Sequence, residues 1–131
     1  MKNIIFVSLS LLIITSNLFA NNEGKELFVA KCATCHSIGK PSVNVIAPPI
    51  RGVMFHLSEF FNPDGIRDHI ADFVMDPTLE EAICKSVKRF GLMPSQKGLI
   101  SQDELNKVID YMMDDLQYNP SNNNKNKHGN Y

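Results

Sequence analysis

The chain has 131 residues, 13 basic against 14 acidic side chains, a formal net charge of −1 and no tryptophan. That length holds one domain and not two. The near-neutral balance gives no basic patch for nucleic acid, and charge alone selects no partner.

Residues 1–20 read as an export signal. Lys2 gives a positive start, Ile4 to Ile14 is mostly aliphatic, and Thr15 to Ala20 is a more polar exit. Cleavage is expected after Ala20, although Leu18 is large for the third position before the cut. The apolar run is short for a membrane span, so an uncleaved anchor is the lesser reading. No cysteine lies near the cut, which argues against a lipid-anchored form.

The mature part, residues 21–116, reads as helices joined by loops, with no segment alternating as a strand would. The first helix is expected from Asn22 to Ile38, ended by Gly39-Lys40-Pro41. It carries Cys32-Ala33-Thr34-Cys35-His36, two thiols two residues apart with a histidine directly after. This is the attachment pattern of a c-type haem. Cys32 and Cys35 add to the two porphyrin vinyl groups as thioethers, and one helical turn presents both sulfurs along one ring edge. His36 then supplies the proximal imidazole to the iron.

Two other readings compete with it. A thioredoxin-like pair belongs after a strand, and none is predicted before Cys32. A zinc site from Cys32, Cys35, Cys84 and a histidine lacks the paired spacing of zinc modules. Covalent haem attachment in bacteria occurs outside the cytoplasm, so the motif and the export signal agree on the periplasm.

Pro41 to Gly52 is expected to be a loop, and His56 to Phe61 a short helical turn. Asn62 is a predicted N-cap with Pro63 at the first helical position. The helix that follows places Ile66, Ile70, Phe73 and Val74 on one face, and Asp76-Pro77 stops it. Thr78-Leu79-Glu80-Glu81 reads as a capping box, starting a helix at Leu79 with the stripe Leu79, Ile83, Val87 and Phe90. Gly91 ends it. Ser101-Gln102-Asp103-Glu104 is a second capping box, and the last helix buries Leu105, Val108, Ile109, Met112 and Leu116. Residues 117–131 carry no hydrophobic pattern and read as a disordered, Asn-rich tail.

An iron held by His36 has an opposite face to fill. Gly91-Leu92-Met93-Pro94 supplies the leading candidate. Gly91 releases the chain from its helix, and Pro94 keeps Met93 out of the helical region and stiffens the loop. Met54 is a possible rival, as are His56 and His69 in a bis-histidine iron, and an open site is a further alternative. Met75, Met112 and Met113 sit on helices, where packing explains them.

On these residues the chain resembles the small class I monohaem cytochromes c, from about Gly24 to Tyr111. The likeness is carried by Gly24 and Phe28, Cys32-Ala33-Thr34-Cys35-His36, Ala47-Pro48-Pro49-Ile50-Arg51-Gly52, Gly91-Leu92-Met93-Pro94 and Val108-Ile109-Asp110-Tyr111. The resemblance implies an all-α cytochrome c fold, four to five helices packed around one covalent haem c with its iron. It implies that Gly24 and Phe28 meet Ile109 and Tyr111. It also implies that the Pro48 carbonyl, or Pro49 as the near alternative, accepts a hydrogen bond from His36 and raises its donor strength. Arg51 is the matching partner for a haem propionate, although a solvated loop arginine serves equally well.

The chain departs from the family in two ways. It has no tryptophan, and tyrosine occurs only at 111, 118 and 131, so a propionate role is unfilled unless His56 takes it. Met54 to Val87 is longer and more helical than the family minimum and suggests a docking surface. Cys84 has no partner once haem takes the other thiols, and reads as a small apolar residue beside Ile83 and Val87, with a redox-sensitive thiol or an intermolecular disulfide as alternatives.

The function implied is one-electron transfer by a monomeric His/Met carrier exchanging with an oxidase, a reductase or another cytochrome, with no small-molecule substrate. Lys25, Lys31, Lys40, Lys85, Lys88, Arg89 and Lys97 are candidates for guiding such docking. No nucleophile with a base suggests hydrolytic or transfer chemistry. The alternatives are a haem enzyme or gas or redox sensor with an exchangeable sixth ligand, and a haem subunit of a larger respiratory complex.

Overall fold

The structure, a computed structural model, describes residues 22–39 and 46–116. The expected signal, Lys40-Pro41, His128 and the Asn-rich tail lie outside the described residues. Within them the fold is helical: α1 (22–31), α2 (Ile50–Phe60), α3 (Pro63–Met75), the single turn α4 (Val87–Phe90) and α5 (Gln102–Tyr111). A wider π-helical turn, Met112–Leu116, extends α5. Among the described residues the sole β-type pairing is an isolated bridge between Lys97 and Ile100.

The two outer helices, α1 and α5, meet at Gly24. A β-carbon there would lie 2.1 Å from the Lys107 carbonyl oxygen and 3.1 Å from the Tyr111 Cβ, so only glycine allows this approach. One turn later Phe28, fully buried, packs against Tyr111 with ring centroids 5.7 Å apart. Lys107 adds ion pairs to Glu23 on α1 (3.0 Å) and to Asp103 (2.9 Å) on its own helix. Both partners hold the ammonium above its ordinary range through their hydrogen bonds. These pairs are exposed and orient the helices more than they stabilise them.

The core is wholly apolar. Phe28, Ile50, Met54, Leu57, Ile66, Ile70 and the α5 residues Leu105, Val108 and Ile109 all belong to it. No described polar or charged residue is fully buried. Every described position from Ala71 to Leu99 is at least partly exposed, so this long stretch puts no fully buried side chain into the core.

Two helices start on side-chain caps. Asn62 accepts from the Gly65 N–H at 2.8 Å, with Pro63 opening α3. At α5 both halves of the Ser101/Glu104 box are made: Ser101 Oγ accepts from the Glu104 N–H and Glu104 Oε2 from the Ser101 N–H. The hydrogen bonds from Ser101, backbone and then side chain, hold the Glu104 carboxyl below its usual range. Ser101→Ala is expected to cost about 1 kcal/mol, read from the urea midpoint.

Three boundaries differ from the sequence reading. The helix expected from Leu79 does not form, although Thr78 Oγ1 accepts from the Glu81 N–H and bonds its carboxylate. Leu79 is 67% exposed, and a capped nucleus without a buried face does not propagate. Helix is regained only at α4. The end of the expected loop, from Ile50 to Gly52, and most of the short turn expected from His56 to Phe61 belong instead to α2, which starts directly after Pro49. Its stripe Ile50, Met54 and Leu57 is buried, and that packing outweighs the glycine at position 52. The first helix ends at residue 31, not at Ile38. There the Phe28 carbonyl takes the N–H groups of both Cys32 and Ala33, and the ladder loosens into turns.

Candidate haem-binding site

The attachment motif occupies those turns. The Cys32 carbonyl accepts from the N–H groups of Cys35 (3.1 Å) and His36 (2.8 Å), which rolls the motif into a compact hoop. Cys32 is half-buried against the core and Cys35 is exposed, and neither is in a disulfide. Burial, and then the neighbouring Cys35, push the Cys32 thiol up, with Lys31 opposing them weakly.

His36 Nδ1 lies 2.8 Å from the Pro48 carbonyl oxygen. With that carbonyl as acceptor, the proton sits on Nδ1 and Nε2 keeps a free lone pair. Proline makes the arrangement rigid, and the following turn locks it to the motif: the Ile50 N–H donates to the Ser37 carbonyl at 3.0 Å. The start of α2 is therefore fastened to the histidine turn. Ser37 Oγ, next to His36, is a buried hydroxyl with no partner.

These residues fit a covalent haem. Two unpaired sulfurs stand on one hoop, an imidazole nitrogen is presented by a fixed ring, and an orphaned hydroxyl lies beside it. Arg51 is exposed on the first turn of α2. Its charge partly offsets burial, the main cause, and Asp115 in raising the Tyr111 hydroxyl.

Met93 is half-buried in an extended loop after α4. Gly91, at φ +79°, turns the chain out of that helix in a conformation closed to most residues. The loop is fastened beyond Pro94. Ser95 Oγ donates to the Met75 carbonyl, and the Gln96 N–H donates to the Val74 carbonyl at 2.9 Å. The Gln96 side-chain amide donates back to the Pro94 carbonyl at 2.8 Å. Lys31, one residue before Cys32, donates to the Leu99 carbonyl at 2.8 Å and pairs with Glu104 at 3.7 Å. Lys31, one of the candidate docking lysines, is exposed while bonded within the chain. Ser37, Ser95 and Gln96 were missed, because a serine or glutamine in a loop carries no pattern of its own.

The rivals to Met93 have other surroundings. Met54 is fully buried in the core and Met112 nearly so. His56 is exposed and bonded to Glu59 at 3.1 Å. His69 lies between the rings of Phe61 and Phe73, at 5.1 and 5.6 Å between centroids. Burial lowers its pKa against the opposing pull of Glu81 and Asp72. Cys84 is half-buried; burial raises its thiol and a hydrogen bond with Ser86 opposes the shift. Among the described residues no group of three or more His, Cys, Asp or Glu forms a metal-holding cluster.

A helical core whose CxxCH hoop carries a histidine held by a proline carbonyl defines a c-type cytochrome. The chain belongs to the family described as cytochrome c oxidase, cbb3-type, subunit III, whose model matches residues 19–112. No curated protein and no solved structure matches it. Its cofactor is covalently bound haem c with iron, and it is a haem-based electron-transfer protein.

Proposed function

We propose that this protein is a single-haem electron carrier of the periplasm, with iron ligated by His36 and Met93, that passes electrons to a terminal oxidase. The observation that carries this reading is the 2.8 Å approach of His36 Nδ1 to the Pro48 carbonyl. It leaves one imidazole nitrogen free, of fixed orientation and raised donor strength. The haem, when bound, supplies the one-electron couple. Cys32 and Cys35 would hold it, and His36 and Met93, the latter on a loop stiffened by Pro94, would ligate its iron. A thioether in that place raises the reduction potential, which suits delivery to an oxidase. The single CxxCH motif supports one haem per chain. The export pattern of residues 1–20 supports the periplasm.

The family description names an oxidase subunit, and this favours a second reading in which the chain is held permanently in such a complex. Among the described residues no helix is long and apolar enough to cross a membrane. Recovery from solubilised membranes together with haem–copper oxidase subunits, and not from the periplasmic extract, would establish the second reading over the first.

The ligand assignment is tested by the visible spectrum of the purified ferric protein. The weak long-wavelength sulfur-to-iron band is expected in the wild type and absent in Met93→Ala, whose ferrous form should bind carbon monoxide that the wild type resists. Absence of the band from the wild type overturns Met93 as ligand and moves an exchangeable-site enzyme or sensor ahead.

A further inference from the structure

The chain from Ala71 to Leu99 buries nothing fully, yet it carries Met93. Residues 91–99 include no fully buried side chain, and hydrogen bonds fasten this loop to the end of α3. A helix leaves its last four carbonyls without partners inside the helix. At the end of α3 one of these, Asp72, is met by the Asp76 N–H at 2.9 Å. Two others are met from the Met93 loop: Val74 by the Gln96 N–H and Met75 by the Ser95 hydroxyl. The same hydroxyl accepts from the Lys97 N–H at 3.2 Å. Ser95 thus joins three things at one oxygen: the end of a core helix, the loop two residues past Met93, and the turn that leads to the buried Ile100.

We propose that Ser95 is a positioning residue for Met93, fixing the distal loop to the end of α3 and thereby setting how firmly the thioether holds the iron. This rests on Met93 being the distal ligand. An alanine at position 95 leaves the Met75 carbonyl and the Lys97 N–H to water. The loop then gains freedom, and the methionine competes less well against an added ligand. A threonine keeps the hydroxyl on the same carbon and restores both bonds. Ser95 is exposed and lies outside the core, so the alanine variant is expected to fold with unchanged helical content.

The probe is imidazole, titrated into the ferric holoprotein of the wild type, Ser95→Ala, Ser95→Thr and Met93→Ala. The sulfur-to-iron band and the far-ultraviolet circular dichroism are followed in parallel. Loss of these two exposed hydrogen bonds together corresponds to roughly tenfold tighter imidazole binding in Ser95→Ala. Ser95→Thr should match the wild type, and Met93→Ala should bind more tightly than any of them. Equal imidazole affinity in Ser95→Ala and wild type, with the band present in both, overturns the proposal and leaves Met93 as ligand. Tighter binding in Ser95→Thr as well as Ser95→Ala also overturns it, because the hydroxyl is then not the agent. Loss of helical content in Ser95→Ala overturns it in favour of a role in the whole fold. A wild type without the band, unchanged in Met93→Ala, removes the ligand assignment and the proposal together.

Discussion

Cys32→Ser combined with Cys35→Ser is expected to leave a chain without stable tertiary structure. A small domain buries a smaller fraction of its surface than a large one, and its core stability is correspondingly modest. Here the core comes from α1, α2, α3, α5 and the turn after it, and the long segment between Ile70 and Ile100 contributes nothing fully buried. A haem held by Cys32 and Cys35 would add an apolar centre and two tethers to one hoop, so its loss is expected to be a loss of folding free energy, as for a structural metal. The double variant, produced with the haem-attachment machinery present, should show weak far-ultraviolet helical signal, no cooperative thermal transition and rapid proteolysis. A cooperative melt with wild-type helicity would show that the polypeptide folds unaided. The serines keep the size and polarity of the hoop nearly unchanged, so the result reports on the tethers.

Gly24→Ala is the second large effect, and its sign is the informative part. Inside an exposed helix this exchange stabilises by about 1 kcal/mol, because alanine restricts the unfolded chain and favours helix. Gly24 is buried, and the new methyl would stand 2.1 Å from the Lys107 carbonyl oxygen, a backbone atom that cannot rotate aside. α1 must lift away from α5. That strains the packing of Phe28 on Tyr111 and the ion pair of Lys107 with Glu23. Overpacking of this kind costs about 3 kcal/mol, which lowers the melting temperature by roughly 15 °C in a domain of this size. Thermal denaturation of the holoprotein reads it directly. A rise in melting temperature would mean that the helices do not meet at this glycine. Because the hoop follows α1 without a break, a displaced α1 also moves Cys32, and haem incorporation should fall with stability.

The sequence was most legible where local chemistry and burial agree. Ser101 with Glu104, and Asn62 with Pro63, name helix starts whose next turns carry Leu105 and Ile66 into the core, and both helices form as read. The family resemblance put Gly24 and Phe28 against the last helix, where the structure has Lys107 and Tyr111. It also put the Pro48 carbonyl on His36, and the two atoms lie 2.8 Å apart. The illegible parts are those where the two signals conflict. Thr78 and Glu81 form their side-chain bonds, but no neighbour covers Leu79, and the helix dies at its first turn. Pro48-Pro49 and Gly52 look like a loop, yet Ile50, Met54 and Leu57 find a core to enter, and packing makes them α2. Ser95 and Gln96 were invisible because their partners are carbonyls at the end of a distant helix, and nothing in a sequence marks a carbonyl as waiting.

The uneven distribution of buried side chains sets two different strengths on the two sides of the haem site. The turns that carry His36 follow α1, bonded at their start to Phe28 and at their end to Ile50 of α2, both core residues, so freeing the histidine is expected to disturb the core. Met93 lies on a loop with no fully buried side chain, fastened by the Ser95 and Gln96 hydrogen bonds, and such a loop is expected to open at a lower free energy than the core. On the ligand set proposed above, release of Met93 from the iron is then expected to leave the rest of the protein folded.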